Sequence, residues 1–444
     1  MRKWIYIGLI LLGSVPCFSQ ADPGGQDGAS PASNQGQMAM PPPVSGAAYP
    51  TAVGGEARSN FLRGGMAFNT SYISNLYPGS SVPPASETTY SILPTISFDQ
   101  TTPRQHRAFS YSPGFTFYQP DSTLNEMDQR VEVQYQIRLT PHSSISATDT
   151  FMKSASAFSE SAVSGSLPNT TAGVAAPFTA LMTNAVQGQY SLQLSPGAMV
   201  GVTGQEMLLH YPNPGQAAGL YNSDEYGGSV FYNHRISASQ YAGATYRYSW
   251  FNSTPVQTQG TATLQSVGQT HAFFGFYTIY LTHSFSISGN GGIQRFEISE
   301  TSSPKTVGWA PMVMASFGFQ VLRTSISANY SRQVSGGGGL IGASTSTAAG
   351  ITARRELSRT WTAGVTANYS ANKSVSALLL DTQHGNSILG SATLDHTFND
   401  QLSIEFGYER INQSYNQIAA IAGNPNSDRF TVLMRWQFMR PLGR

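Results

Sequence analysis

Residues Arg130–Leu139 read Arg-Val-Glu-Val-Gln-Tyr-Gln-Ile-Arg-Leu. Successive side chains of an extended chain point to opposite faces. Val131, Val133, Tyr135, Ile137 and Leu139 therefore share one face. Arg130, Glu132, Gln134, Gln136 and Arg138 share the other. A helix would scatter these residues around its whole surface, so the segment is an amphipathic strand. Its length matters as much as its period. A tilted strand of about 9–11 residues crosses the hydrocarbon of a bilayer, whereas strands of water-soluble proteins average about 5–6.

The same pattern returns along the chain. Leu402, Ile404, Phe406 and Tyr408 oppose Ser403, Glu405, Gly407 and Glu409. Phe430, Val432, Met434, Trp436 and Phe438 oppose Arg429, Thr431, Leu433, Arg435 and Gln437. Trp361–Tyr369 alternates likewise. Eighteen such segments are expected, from 63–74 to 428–439, with sixteen as the alternative count. Short turns such as Thr140-Pro141-His142, Pro196-Gly197 and Asn399-Asp400-Gln401 alternate with long links such as 154–185, 211–223 and 414–427. Short turns on one side and long loops on the other predict a single transmembrane antiparallel β-barrel. Both chain ends then fall on the short-turn side. A soluble all-β protein is the rival, and the strand length and absent repeat period disfavour it.

Composition agrees. Charged residues are 11% of the 444, against about 25% in ordinary soluble proteins. Lys and Arg number 24 and Asp and Glu 23, with no basic block, which disfavours a nucleic-acid partner. The single Cys17 excludes an intrachain disulfide. Met1-Arg2-Lys3, the apolar stretch Trp4–Val15 and Ser19-Gln20-Ala21 predict a cleaved signal peptide over 1–21. A lipoprotein signal at Cys17 fits less well, because Pro16 precedes it. Residues 22–59, with Pro41-Pro42-Pro43, predict a disordered periplasmic leader. The barrel is expected over 60–444. After the signal no stretch nears the roughly 20 apolar residues of a membrane helix; the longest candidate is Phe273–Leu281. Tyr72, Tyr77, Tyr118, Tyr211, Trp250, Phe251, Trp309, Tyr330 and Trp361 fall near strand ends, where aromatic girdles are expected.

The terminal segment Phe430–Phe438 resembles the last strand of bacterial outer-membrane β-barrel proteins, which often ends in an aromatic residue read by the barrel-assembly machinery. Tyr111-Ser112-Pro113-Gly114-Phe115 followed by Tyr118 is similar to porin-type barrels of Gram-negative bacteria, some linked to exopolysaccharide export. The resemblance implies export to the outer membrane, and the assembly machinery and membrane lipid as partners. It carries no site residue with it.

Catalytic and metal chemistry find no motif. No two of the eight histidines have the spacing of a paired helical zinc motif, and the run Gly336-Gly337-Gly338-Gly339 lacks the Lys of a phosphate loop and reads as an external loop. No cofactor is expected, and no enzyme. What remains is the polar face. It carries Arg130, Glu132, Arg138, Arg235, Arg247, Glu405, Glu409 and Arg435, and charge is costly against lipid, so these are the candidate pore-lining residues. The reading that follows is a channel for small hydrophilic solutes. The alternatives are an exporter of exopolysaccharide or another polymer, and a non-transporting barrel serving as adhesin, anchor or enzyme.

Overall fold

The computed structural model describes residues 60–76, 85–154, 180–214, 217, 220–256, 265–282, 284–300, 305–336, 343–375, 384–416 and 426–441. The expected signal peptide over 1–21 and the expected leader over 22–59 lie outside the described residues, as do most of the long links. The strands are β1 (Phe61–Ile73), β2 (Glu87–Thr101), β3 (Gln105–Gln119), β4 (Glu126–Thr140), β5 (Ser143–Ser154) and β6 (Leu181–Ser195). Then come β7 (Ala198–His210), β8 (Tyr221–Ser237), β9 (Gln240–Pro255), β10 (Ser266–Thr282), β11 (Phe285–Glu300) and β12 (Thr306–Val321). The last are β13 (Thr324–Ser335), β14 (Ser344–Glu356), β15 (Trp361–Ser374), β16 (His384–Asn399), β17 (Leu402–Asn416) and β18 (Asn426–Pro441).

Each strand pairs antiparallel with its sequence neighbours, and β18 pairs with β1 from Phe61 opposite Pro441 to Ile73 opposite Arg429. The 18-stranded sheet is therefore closed. Closure leaves no edge strand, which a bilayer would penalise through unsatisfied backbone groups. At the long-loop end the seam continues beyond the ladder. The Ser427 hydroxyl donates to the Asn75 carbonyl at 2.7 Å, and the Asn75 amide donates to the Asn426 carbonyl at 2.9 Å.

The apolar face of each strand points outward. Phe68, Val230, Phe273, Val365, Phe406 and Val432 are all large, apolar and exposed. The polar face points inward, because its side chains meet across non-adjacent strands: Arg247 of β9 reaches Met312 of β12 and Gln333 of β13. This alternation survives only if the register holds. Among the described ladders, shifts occur between Arg138 and Thr140, Gln193 and Ser195, Arg235 and Ser237, Tyr280 and Thr282, and Thr397 and Asn399. All five lie beside short turns, so the phase is unbroken through the membrane band. The turns are locally encoded. The Asn399 side-chain oxygen accepts the backbone N–H groups of Gln401 and Leu402 at 2.8 and 2.9 Å, an Asx turn. The architecture is a closed antiparallel β-barrel with an apolar outer face, as a membrane-spanning barrel requires.

Three of the expected girdle residues need correction. Tyr118 and Phe251 do not join a girdle: both face inward and are buried. Strand parity decides this, since each is one residue out of phase with the outward set. Tyr211 is also buried, just beyond β7. Tyr77 lies outside the described residues. Tyr72, Trp309 and Tyr330 do face outward and are exposed.

Candidate functional site

All eight candidate pore-lining residues lie on the inward face, but the structure groups them unevenly. Charge is concentrated around the seam, on β14, β16–β18 and β1–β4. On β18, Arg435 donates to Glu405 of β17 and lies 3.7 Å from Asp395 of β16. Asp395 and Glu405 stand directly opposite in the ladder, so Arg435 offsets the repulsion between two neighbouring carboxylates. Nearer the long-loop end, Arg429 holds Glu409 at 2.9 Å. On β4, Arg130 holds Glu132 at 2.6 Å. These acid–base rows follow directly from alternation, since residues two apart on one strand, or opposite or diagonal across two, share a face. Asp395, Arg429, Arg63, Asp99, His106, Asp128 and Arg354 belong to the same inward wall and were not singled out from sequence. Alternation within their strands was the available signal.

Beside this wall, in the short-turn half of the barrel, the inward surface is solvent-accessible. Gln134, Gln136 and Arg138 of β4 and Thr148 of β5 face inward and are nevertheless exposed. An exposed side chain inside a closed barrel touches lumen water.

The opposite wall is different. On β5–β13 the described inward charges are Glu225, Arg235, Arg247 and, at the long-loop end of β11, Glu300. Here the long-loop end of β13 leaves its neighbour: the ladder with β12 stops at Val313 opposite Arg332. Beyond it, Gln294 of β11 takes the place of β12. Its side chain donates to the Val334 carbonyl and accepts the Val334 N–H, each at 2.9 Å. Arg247 donates to the Gln333 side-chain oxygen at 2.9 Å, with its guanidinium 5.9 Å from the centre of the Phe274 ring. The Ser253 hydroxyl donates to the Gly336 carbonyl at 2.8 Å. Val334 and Ala343 pack with Phe251, Phe296 and Ile298. The described residues that flank the β13–β14 link, Val334–Gly336 and Ala343, are thus seated inside the barrel. Gly268 permits this, because a Cβ there would overlap the Phe251 ring. Gly336 is therefore not part of a wholly external loop as its sequence suggested; Gly337–Gly339 lie outside the described residues. Arg247 serves as an anchor of this seat. Arg235 and Arg138 sit at the short-turn end, where Arg235 donates to the Ser237 carbonyl at 3.1 Å.

The outward face is not charge-free. Asp149 points outward from β5, opposite Val133 and Val186, and accepts a hydrogen bond from Asn184 at 2.9 Å. Arg295 and Lys305 both contact Glu297 at 2.5 Å on the outer surface near the long-loop end, beside Trp309. Among the described residues no group of three or more His, Cys, Asp and Glu is placed to hold a metal.

No protein-family model matches the chain, and no curated protein matches it. Solved structures resemble it at low identity. OccK2 (OpdF) of Pseudomonas aeruginosa is 9% identical with a TM-score of 0.44, over 86% of this chain and 98% of that one. OccAB4 of Acinetobacter baumannii is 8% identical with a TM-score of 0.42, over 86% and 99%. The ferric citrate transporter FecA is 10% identical with a TM-score of 0.43, over 82% of this chain. The chain spans 61% of the length of FecA.

Proposed function

We propose that the protein is a water-filled channel of a Gram-negative outer membrane that passes small hydrophilic solutes, with the short turns and both chain ends in the periplasm. The observation that carries this reading is the exposed inward set Gln134, Gln136, Arg138 and Thr148. A barrel of this strand number leaves a lumen wider than side chains fill. Here the filled side, under the β13–β14 hairpin, faces an open charged side. Solutes pass along β16–β18 and β1–β5. The paired rows Arg435–Glu405–Asp395, Arg429–Glu409 and Arg130–Glu132 set a transverse field there, which orients dipolar solutes and leaves modest net ion preference.

Proteoliposomes test this. Vesicles carrying the refolded barrel should swell in isotonic pentose or hexose, and more slowly as the sugar lengthens. Swelling no faster than in protein-free vesicles, with the barrel inserted, would overturn the channel reading.

A further inference from the structure

The two ends of the barrel carry opposite charge. Among described residues that lie in a short turn or within two residues of a strand's short-turn end, ten are arginines: Arg63, Arg104, Arg107, Arg138, Arg235, Arg323, Arg354, Arg355, Arg359 and Arg440. The acids there are three, Asp99, Glu356 and Asp400, and there is no lysine. By the same measure the long-loop end, with its described loop residues, holds six acids, Glu87, Asp121, Glu126, Asp128, Glu300 and Asp428. Against them stand three lysines, Lys153, Lys305 and Lys373, and no arginine. The sequence as a whole is nearly neutral, at +1, so this is a partition of charge along the barrel axis and not a basic protein.

The arginines also have a direction. By strand parity Arg63 of β1, Arg138 of β4, Arg235 of β8 and Arg354 of β14 face the lumen, and Arg107, Arg355 and Arg440 face outward. The lumen-facing four are spread around the mouth. Even β1 and β4 are about 14 Å apart at a strand spacing of about 4.8 Å. Such a ring is too wide to close on one small ion. A linear chain with repeated anionic groups engages several of its members at once. Arginine suits this role, because its planar fork binds carboxylate or phosphate through two parallel hydrogen bonds and stays charged at any physiological pH. A conduit walled by low-dielectric material focuses the field of that ring and raises the local anion concentration.

We propose that the short-turn mouth is a capture site for a linear polycarboxylate, such as an acidic polysaccharide segment, entering the lumen from the periplasmic side. The proposal deepens the channel reading and rests on it only for the onward passage of the chain. Capture itself is read without any flux.

The experiment is equilibrium binding of fluorescein-labelled poly-L-glutamate to the detergent-solubilised full chain, followed by anisotropy. Binding is expected at about 0.01 M salt, where charges act over roughly 30 Å, and should vanish near 1 M, where the range is about 3 Å. The variant R63Q/R138Q/R235Q/R354Q should bind about tenfold more weakly. The variant K153Q/K305Q/K373Q, altered at the other end, should bind as the parent does. Should the quadruple variant fail to form a heat-modifiable barrel, the pair R138Q/R354Q decides, both side chains being exposed; a loss of about threefold is expected. Unchanged binding in the arginine variant, or binding removed by the lysine changes, would overturn the proposal. So would loss in R107Q/R355Q/R440Q alone, which would make the ring a contact for anionic lipid headgroups. A barrel that captures the polymer yet fails the swelling test retains the site and loses the channel.

Discussion

Arginine at Val432 is expected to destabilise the barrel by roughly 2–4 kcal/mol, the usual cost of a cation at mid-membrane depth on a lipid-facing strand. Val432 sits in the middle of β18, flanked across the ladders by Phe406 and Thr70, and it is exposed on the outer surface. No carboxylate lies opposite it in either ladder, so the guanidinium must drag water or headgroups inward. Val133 is a poorer place for the same substitution: it stands opposite Asp149, which would pair with the new cation. Arginine at Gln134, inward and exposed to the lumen, should change stability by less than about 0.5 kcal/mol. Urea unfolding in lipid vesicles measures all three. Equal tolerance at Val432 and Gln134 would contradict the assignment of lipid and lumen faces.

The second large effect is expected at Gln294. Its side chain is buried and makes both hydrogen bonds that hold Val334 in place of a strand partner. Gln294→Met keeps the volume and removes both bonds. Each orphaned backbone group then costs about 1–3 kcal/mol if it stays dry. The cheaper response is for the hairpin end to leave its seat and let water in. Ser253 and Arg247 then lose Gly336 and Gln333 as partners. The lumen should widen, so Gln294→Met should swell faster than the parent in the longer sugars and show noisier channel current. A barrel that forms normally with unchanged size exclusion would mean that the hairpin does not narrow the path.

Most of the barrel was legible in the sequence because its determinants are local. Alternation marks each strand, and turn chemistry such as that of Asn399 marks each reversal. The eighteen expected segments correspond to the eighteen strands, with ends displaced mainly on the long-loop side. The start of β6 is an example: it begins at Leu181, whereas alternation was visible only from 186. Strands that extend past the hydrocarbon become polar on both faces, so nothing in their pattern separates them from loop. The inward position of the eight charged candidates was equally legible, since parity alone assigns it.

Other features depended on contacts between distant residues. Nothing around Gly336 announces that Ser253 will hold it, because the two meet only once β9 and β13 are placed in the same barrel. Arg247 looked like any inward charge, and its role as an anchor comes from Gln333 and Met312. Asp149 broke the outward pattern without a local sign, because the Asn184 that satisfies it belongs to the next strand. The axial division of charge became readable only after every turn had been assigned to one end.

The central claim is that the closed barrel encloses a continuous water path. Single-channel recording in planar bilayers tests it most directly, using the full chain shown by heat-modifiable migration to be folded. The account predicts discrete, stable steps of current whose size scales with bulk salt conductivity. Folded, inserted barrels that carry no current would contradict it.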